Sequence, residues 1–367
     1  MDPIKILKRA WHILWNYRVL WVFGLILALT AGSIQSNPGS NSSYRASQQE
    51  WQSGTIPEGM RQSFDQAWQE ILGILEHGLP SVGISAQEIT AFVWVLAVLF
   101  ALGLVFSIAM AFARYVSETA VIKMVDGYEE TGQKQSLREG FRIGWSRTSW
   151  RLFLINLIVS LPAILLVLAL IVTGVLVFLS ITRGSDGLAV ASVVGAIGLA
   201  FLMIFVVVIV SIVLSLLRHF FWRACALEDL GVGDSFRRGW AMVKENWKNV
   251  GLMWLVMIGL GIAWALVSMI AFFITLPLLV VTGVAGAAVA ALPVLVAYGL
   301  SSLALDGWLP WVVAGLAGLP FFLVVAFSPW LVIGGWVQVF NSSVWTLTYR
   351  ELKALPEQPV EVAPAEA

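Results

Sequence analysis

Three histidines, one cysteine and a scatter of carboxylates are the residues of this chain that could carry chemistry. His12, His77 and His219 would hold a metal only with partners at a ligand spacing, and none has one. Their place at helix ends and on amphipathic stretches suits interfacial residues instead. The acidic group Glu228, Asp229 and Asp234 sits at a turn into a helix, where it suits capping or dipole stabilisation better than a metal site. Cys225 has no second cysteine to pair with and no redox motif beside it, so it reads as an inert small residue. Gly231-Val232-Gly233 precedes a helix, but the third glycine and the preceding strand of a nucleotide loop are absent. No GxxxxGK[ST] phosphate loop occurs anywhere. No catalytic, cofactor-binding or metal-binding residue is therefore assigned, no nucleic-acid partner is expected, and the expectation is a protein that is not an enzyme.

The elements that would position such residues are membrane helices. Of 367 residues, 59% are hydrophobic and 12% charged, against about a quarter charged in a soluble domain. Residues 152–182, 187–217, 249–305 and 307–349 contain no charge at all. About 20 apolar residues cross the hydrocarbon core, so each run is long enough to span. Barrel strands would alternate polar and apolar residues, and these runs do not. The fold class is all-α, a polytopic transmembrane helix bundle with about six spans and amphipathic interfacial helices.

Spans are placed at about 19–34, 90–113, 152–181, 188–217, 251–283 and 310–340, with Pro162 a candidate kink in the third. The segment 284–303 is apolar, rich in Gly and Ala and broken by Pro293. With six spans it is re-entrant or packed at the outer side. The small residues Ser192, Ala196, Ala200 and Gly283, Ala287, Ala291 recur every fourth position, a pattern that brings helix backbones close. A basic start and small residues near Ser33 resemble a signal peptide, yet the basic part belongs to a repeat, so the first span is expected to stay uncleaved.

Short basic helices precede three of these spans. Leu7-Lys8-Arg9-Ala10-Trp11, Phe141-Arg142-Ile143-Gly144-Trp145 and Phe236-Arg237-Arg238-Gly239-Trp240 share a large apolar residue, a base, any residue, a small residue and tryptophan. Each begins an amphipathic elbow that leads into membrane helices. Asp2-Pro3 caps elbow one, Ser136 and Glu139 form a capping box for elbow two, and Asp234-Ser235 opens elbow three. The apolar faces read as Ile4, Leu7, Trp11, Leu14 and Trp15; then Leu137, Phe141 and Trp145; then Phe236, Trp240, Val243 and Trp247. Lys8, Arg9, Trp11, Arg142, Trp145, Arg237, Arg238 and Trp240 are the candidate lipid-contacting residues. Asn156 is the candidate intramembrane polar residue and is expected to bond across helices.

Nineteen of the 22 Lys and Arg residues lie in 1–18, 114–151, 218–248 and 350–353. The positive-inside rule puts those segments in the cytoplasm, together with both termini. Residues 1–353 form one integral membrane domain with units of about 1–130, 131–230 and 231–353 and an outer loop at 35–89. Within that loop, 58–78 keep helical spacing and read as an external amphipathic helix. The tail 354–367, rich in Pro, Glu, Val and Ala, is expected to be disordered.

The elbows, the Arg223-Ala224-Cys225-Ala226-Leu227-Glu228-Asp229-Leu230-Gly231-Val232 passage and the closing Thr346-Leu347-Thr348-Tyr349-Arg350-Glu351-Leu352 resemble the bacterial glycerophosphoryl diester phosphodiesterase membrane-domain family and its uncharacterised multi-span relatives. The resemblance is clearest over about 136–250 and 340–353. It implies a bacterial cytoplasmic-membrane location and a fold, not hydrolysis. No catalytic barrel is expected after the spans. The function expected is a structural or accessory integral membrane protein that interacts with lipids or a membrane partner, including a second copy of itself. The alternative is a transporter or permease-like component for a neutral or lipid-like solute, since such solutes need no buried charge.

Overall fold

The structure, a computed structural model, describes residues 1–30, 86–183 and 186–355. The expected external helix at 58–78, most of the outer loop and nearly all of the tail lie outside the described residues. Among the described residues the regular elements are all helical. They are α1 (Pro3–Asn16), α2 (Leu20–Thr30), α3 (Ala86–Thr131), α4 (Leu137–Gly144), α5 (Arg147–Arg183), α6 (Asp186–Leu227), α7 (Val232–Glu245), α8 (Trp247–Ser301), α9 (Leu309–Ala326) and α10 (Ser328–Ala354). Five of them are long and apolar enough to cross a membrane, and α1 with α2, bent by 102°, would make a sixth. The protein is a helical membrane protein.

The elbows are α1, α4 and α7. Asp2 accepts from the backbone N–H groups of Ile4 (3.0 Å) and Lys5 (3.3 Å), and Pro3 occupies the first turn, where its missing N–H costs nothing. Ser136 and Glu139 close a full capping box. Elbow three starts earlier than Asp234. Gly231 is its N-cap and supplies no side-chain bond, while Asp234 lies in the first turn, where a negative charge meets the positive end of the helix dipole.

Chain proximity divides the protein into two compact units. One comprises Met1–Ala31, Phe112–Gly261 and Gly334–Ala367; the other comprises Gly32–Ala111 and Ile262–Ile333. In the first, α5 packs along α6, and α7 packs on both. Its larger core joins Ile6, Ala10 and Ile13 of α1 to Phe23, Met124, Phe220, Ala224, Val339 and Tyr349. α2 crosses α10 at paired glycines. A Cβ on Gly24 would stand 2.5 Å from the Gly335 carbonyl oxygen, so only glycine admits this approach.

In the second unit, the segment 284–303 is not re-entrant. It continues α8, a helix of 55 residues and roughly 80 Å. Its last turns pair antiparallel with α9. Thr282 donates to the Ala326 carbonyl (2.7 Å), and the rings of Tyr298 and Trp311 lie 4.3 Å apart. In apolar surroundings a backbone has no water to bond, so the helix persists through Pro293 and loses one bond there. The packed edge is Gly286 and Ala290, while Ala287 and Ala291 are exposed. The four-residue stripe is real in spacing but displaced from the face that packs. Leu305, Leu309 and Val313 form a small core with Phe92, Val95 and Leu99.

Candidate functional site

Each elbow presents two faces, and the sequence pattern gives only one of them. Ile6, Ala10, Ile13 and Leu14 of α1 are buried, as are Gly140 and Gly144 of α4 and Ser235, Gly239 and Met242 of α7. These are aliphatic or small residues that seat the elbow on the bundle. The small residue of the repeat is the point of closest approach. A Cβ on Gly239 would meet the Phe221 ring at 2.6 Å; outside the repeat, one on Gly140 would meet the Met124 sulfur at 2.6 Å and the Phe23 ring at 2.7 Å. Gly144 rests against the Val116 backbone and lies near Ala120.

The other face is aromatic and turned out of the protein. Trp11 is 53% exposed, Trp145 71% and Trp240 55%. Lys8, Arg142 and Arg237 are exposed beside them. Phe141, Leu137 and Ile4 share that face. Leu7 and Val243 are partly buried and pack against the core.

Two of the candidate lipid-contacting bases are instead held by the protein. Arg9 is paired to Glu129 and, at 3.5 Å, to Glu351. Arg238 lies 3.4 Å from Glu228. They belong to a layer of ion pairs at the basic ends of the helices. Arg350 bonds Asp126, Lys353 approaches Glu228 at 3.3 Å, and Arg151 bonds Asp229 at 3.1 Å. Tyr349 donates to Glu228 at 2.7 Å. Burial alone would raise the Glu228 carboxyl, but the hydrogen bonds from Tyr349 and Lys353 outweigh it and hold it below its ordinary value. Glu228 therefore caps no helix; it ties α6, α7 and α10 together. The Tyr17 hydroxyl, donating to the Gln135 carbonyl at 2.9 Å, is pushed up to about 12, chiefly by burial.

Beside this layer lies a second, buried one. The Arg223 guanidinium donates to the Ser342 carbonyl (3.0 Å), the Ser342 hydroxyl (3.2 Å) and the His219 carbonyl (3.1 Å). Ser342 in turn donates to Glu118 at 2.8 Å, and Arg223 lies 3.6 Å from that carboxylate. His219 stacks on Trp345 with centroids 4.9 Å apart. Asn156 accepts from Arg218 at 3.2 Å, and the Arg218 guanidinium sits 5.2 Å over the Trp222 ring. Asn156 thus bonds from α5 to α6.

Glu118 and Ser342 were not singled out from the sequence, and Arg223 and Tyr349 entered only within the motifs of the family resemblance. A faint signal existed: the helices of the apolar runs carry on past their ends, with Glu118 one turn after Arg114 and Arg223 just beyond Arg218. No group of three or more His, Cys, Asp or Glu that could hold a metal occurs among the described residues. Cys225 is buried and unpaired to any other cysteine.

The chain matches the family described as a family of unknown function (DUF7544) over residues 8–348. It belongs to that family. No curated protein and no solved structure matches it. The family match covers all three elbows' repeat motifs from Lys8 onward, both polar layers up to Thr348, and every described membrane helix at least in part.

Proposed function

We propose that this chain is a non-enzymatic accessory protein of the bacterial cytoplasmic membrane. Its elbows lie along the inner leaflet and its helices brace a membrane assembly. The observation that carries the reading is the two-faced elbow. In all three copies a small buried residue seats the helix on the bundle, while a tryptophan more than half exposed and an exposed base lie on the far side. Tryptophan prefers the headgroup level, and each base beside anionic lipid adds about 1 kcal/mol of attraction. Arg9, Arg223, Arg350 and Lys353, at the bundle's basic end, are each engaged with a carboxylate, which favours a brace over a proton or ion pathway.

The test is chemical labelling in a Cys225→Ser background. A cysteine at Ser302, exposed just past α8, should react with an impermeant thiol reagent from outside the cell; one at Ser136 should react only after permeabilisation. A spin label at position 145 should collide with oxygen more readily than with an aqueous relaxing agent. Reversed labelling, or a water-exposed label at 145, defeats the inner-leaflet reading.

A further inference from the structure

We propose that elbow two is the surface by which this protein selects anionic phospholipid, and that elbow three is indifferent to lipid charge. This rests on the inner-leaflet reading and deepens it by naming which elbow reads the headgroups. The Trp145 ring packs edge-on against Phe112, with centroids 5.0 Å apart. Phe112 stands at the end of the uncharged run 89–113. Trp145 is thereby held where α3 leaves the apolar layer, at headgroup depth.

The glycines fix how α4 is turned. Gly140 lies against Met124 and Phe23, and Gly144 lies against the Val116 backbone. Arg142 is two residues from each, about 200° around the helix, so it faces away from the bundle. Arg138, one turn earlier, shares that side. Both are exposed. Leu137 and Phe141, also exposed, lie between that side and the bundle. Bases flanking an apolar edge and a tryptophan are what an interfacial helix presents to anionic lipid.

Charge separates the elbows. Lys134, Arg138, Arg142 and Arg147 are all exposed and make no ion pair among the described residues. The carboxylate of this stretch, Glu139, is occupied by the capping box, accepting from the Ser136 backbone N–H at 2.8 Å and its hydroxyl at 3.0 Å. In α7 the balance differs. Arg238 is held by Glu228, and the exposed bases Arg237 and Lys244 are matched on the same helix by the exposed carboxylates Asp234 and Glu245. Elbow one stands between the two, with Arg9 held by Glu129 and with Lys5 and Lys8 exposed. An anionic surface therefore attracts elbow two most and elbow three least. With eight residues, α4 is too short to be a stable helix by itself, so docking on lipid tightens it.

The test places the full chain in nanodiscs of phosphatidylcholine, alone or with phosphatidylglycerol, and follows backbone amide exchange by mass spectrometry. Phosphatidylglycerol should slow exchange over 137–144 and leave 232–245 unchanged. Arg138→Gln with Arg142→Gln should lower that gain in protection by as much as about thirtyfold, about fivefold for each base. Both side chains are exposed, so the fold should survive the change. Arg138→Lys with Arg142→Lys keeps the charges and should keep the gain, which separates lost charge from lost structure. Salt at about 1 M should erase the gain, because screening then acts within about 3 Å. A gain that survives the Gln pair or the salt, a loss shared by the Lys pair, an equal gain over 232–245, or no gain at all overturns the proposal. None of these results moves the label at position 145 into water, which is the outcome that defeats the inner-leaflet reading itself.

Discussion

Tyr349 donates its hydroxyl to Glu228 at 2.7 Å, across 121 positions of sequence, and so fastens the end of α10 to the end of α6. Lys353 and Arg238 complete the ring of donors around that carboxylate. Removing the hydroxyl in Tyr349→Phe should destabilise the protein by about 1.5–3 kcal/mol, the usual value for a hydrogen bond to a charged group. The same contact sets a pH dependence. The folded-state carboxyl of Glu228 lies below its ordinary value, so its contribution is fully present above the unfolded value of about 4.3 and is lost as pH falls through the folded one. Melting temperatures of wild type and Glu228→Gln should differ most near neutrality and converge in acid. A gap that stays constant down to the acid limit would contradict this account.

Arg223 is nearly inaccessible, 1% exposed, and every neighbour it bonds lies on α3, α6 or α10. Truncating it alone in Arg223→Met leaves Glu118 buried beside Ser342 with its charge uncompensated. Losses of about 3–5 kcal/mol accompany such half-removals. The double variant Glu118→Leu with Arg223→Met removes both charges and should recover much of the loss. A thermal melt of the two singles and the double, read as a cycle, checks this. Additive losses would mean that the pair does not act as a unit.

Gly239 and Gly233 lie on the same elbow in opposite circumstances. A Cβ at Gly239 would meet the Phe221 ring at 2.6 Å, whereas one at Gly233 meets nothing within 4 Å. Gly239→Val should cost about 1–3 kcal/mol by overpacking and should lift α7 from α6. Gly233→Ala should be neutral or slightly stabilising, since it only narrows the unfolded ensemble. Protease sensitivity of the α7 region separates the two. Equal sensitivity would remove the small residue of the repeat from its seating role.

The apolar runs made the helices legible because lipid leaves a backbone no other way to satisfy its bonds. The caps at Asp2 and Ser136 were legible because capping depends on residues two or three positions away. The faces of the elbows were only half legible. A hydrophobic pattern marks Trp11 and Trp145 as apolar but cannot say whether lipid or protein receives them, and the protein takes Ala10 and Gly144 instead. Of the buried layer, the bond of Asn156 across helices was legible and the Arg223 cluster was not. Glu118 and Ser342 are 224 positions apart, and no local rule ties a charged residue past the end of one span to a serine near the end of another. Continuity of α8 through 284–301 was hidden for a related reason. Pro and Gly are breakers in water, and the pairing with α9 that outweighs them is tertiary.

The last expectation concerns catalysis. The purified protein should hydrolyse neither glycerophosphodiesters nor nucleotides. Such hydrolysis needs a metal, or an acid and a base, gathered at one point that water reaches. The carboxylates best placed for it, Glu228 and Asp229, are committed elsewhere: Glu228 to Tyr349, Lys353 and Arg238, and Asp229 to Arg151. A divalent cation would have to compete with four bonded donors and would be repelled by three cations at that point. His219 lies flat against Trp345 with Arg223 beside its ring, which leaves it poorly placed to shuttle protons to a substrate. Assays with glycerophosphocholine and ATP, run with magnesium, manganese, zinc or a chelator, should give background rates in every case. Metal-dependent turnover that disappears in Glu228→Ala or Asp229→Ala would overturn the accessory reading and make this ion-pair layer an active site.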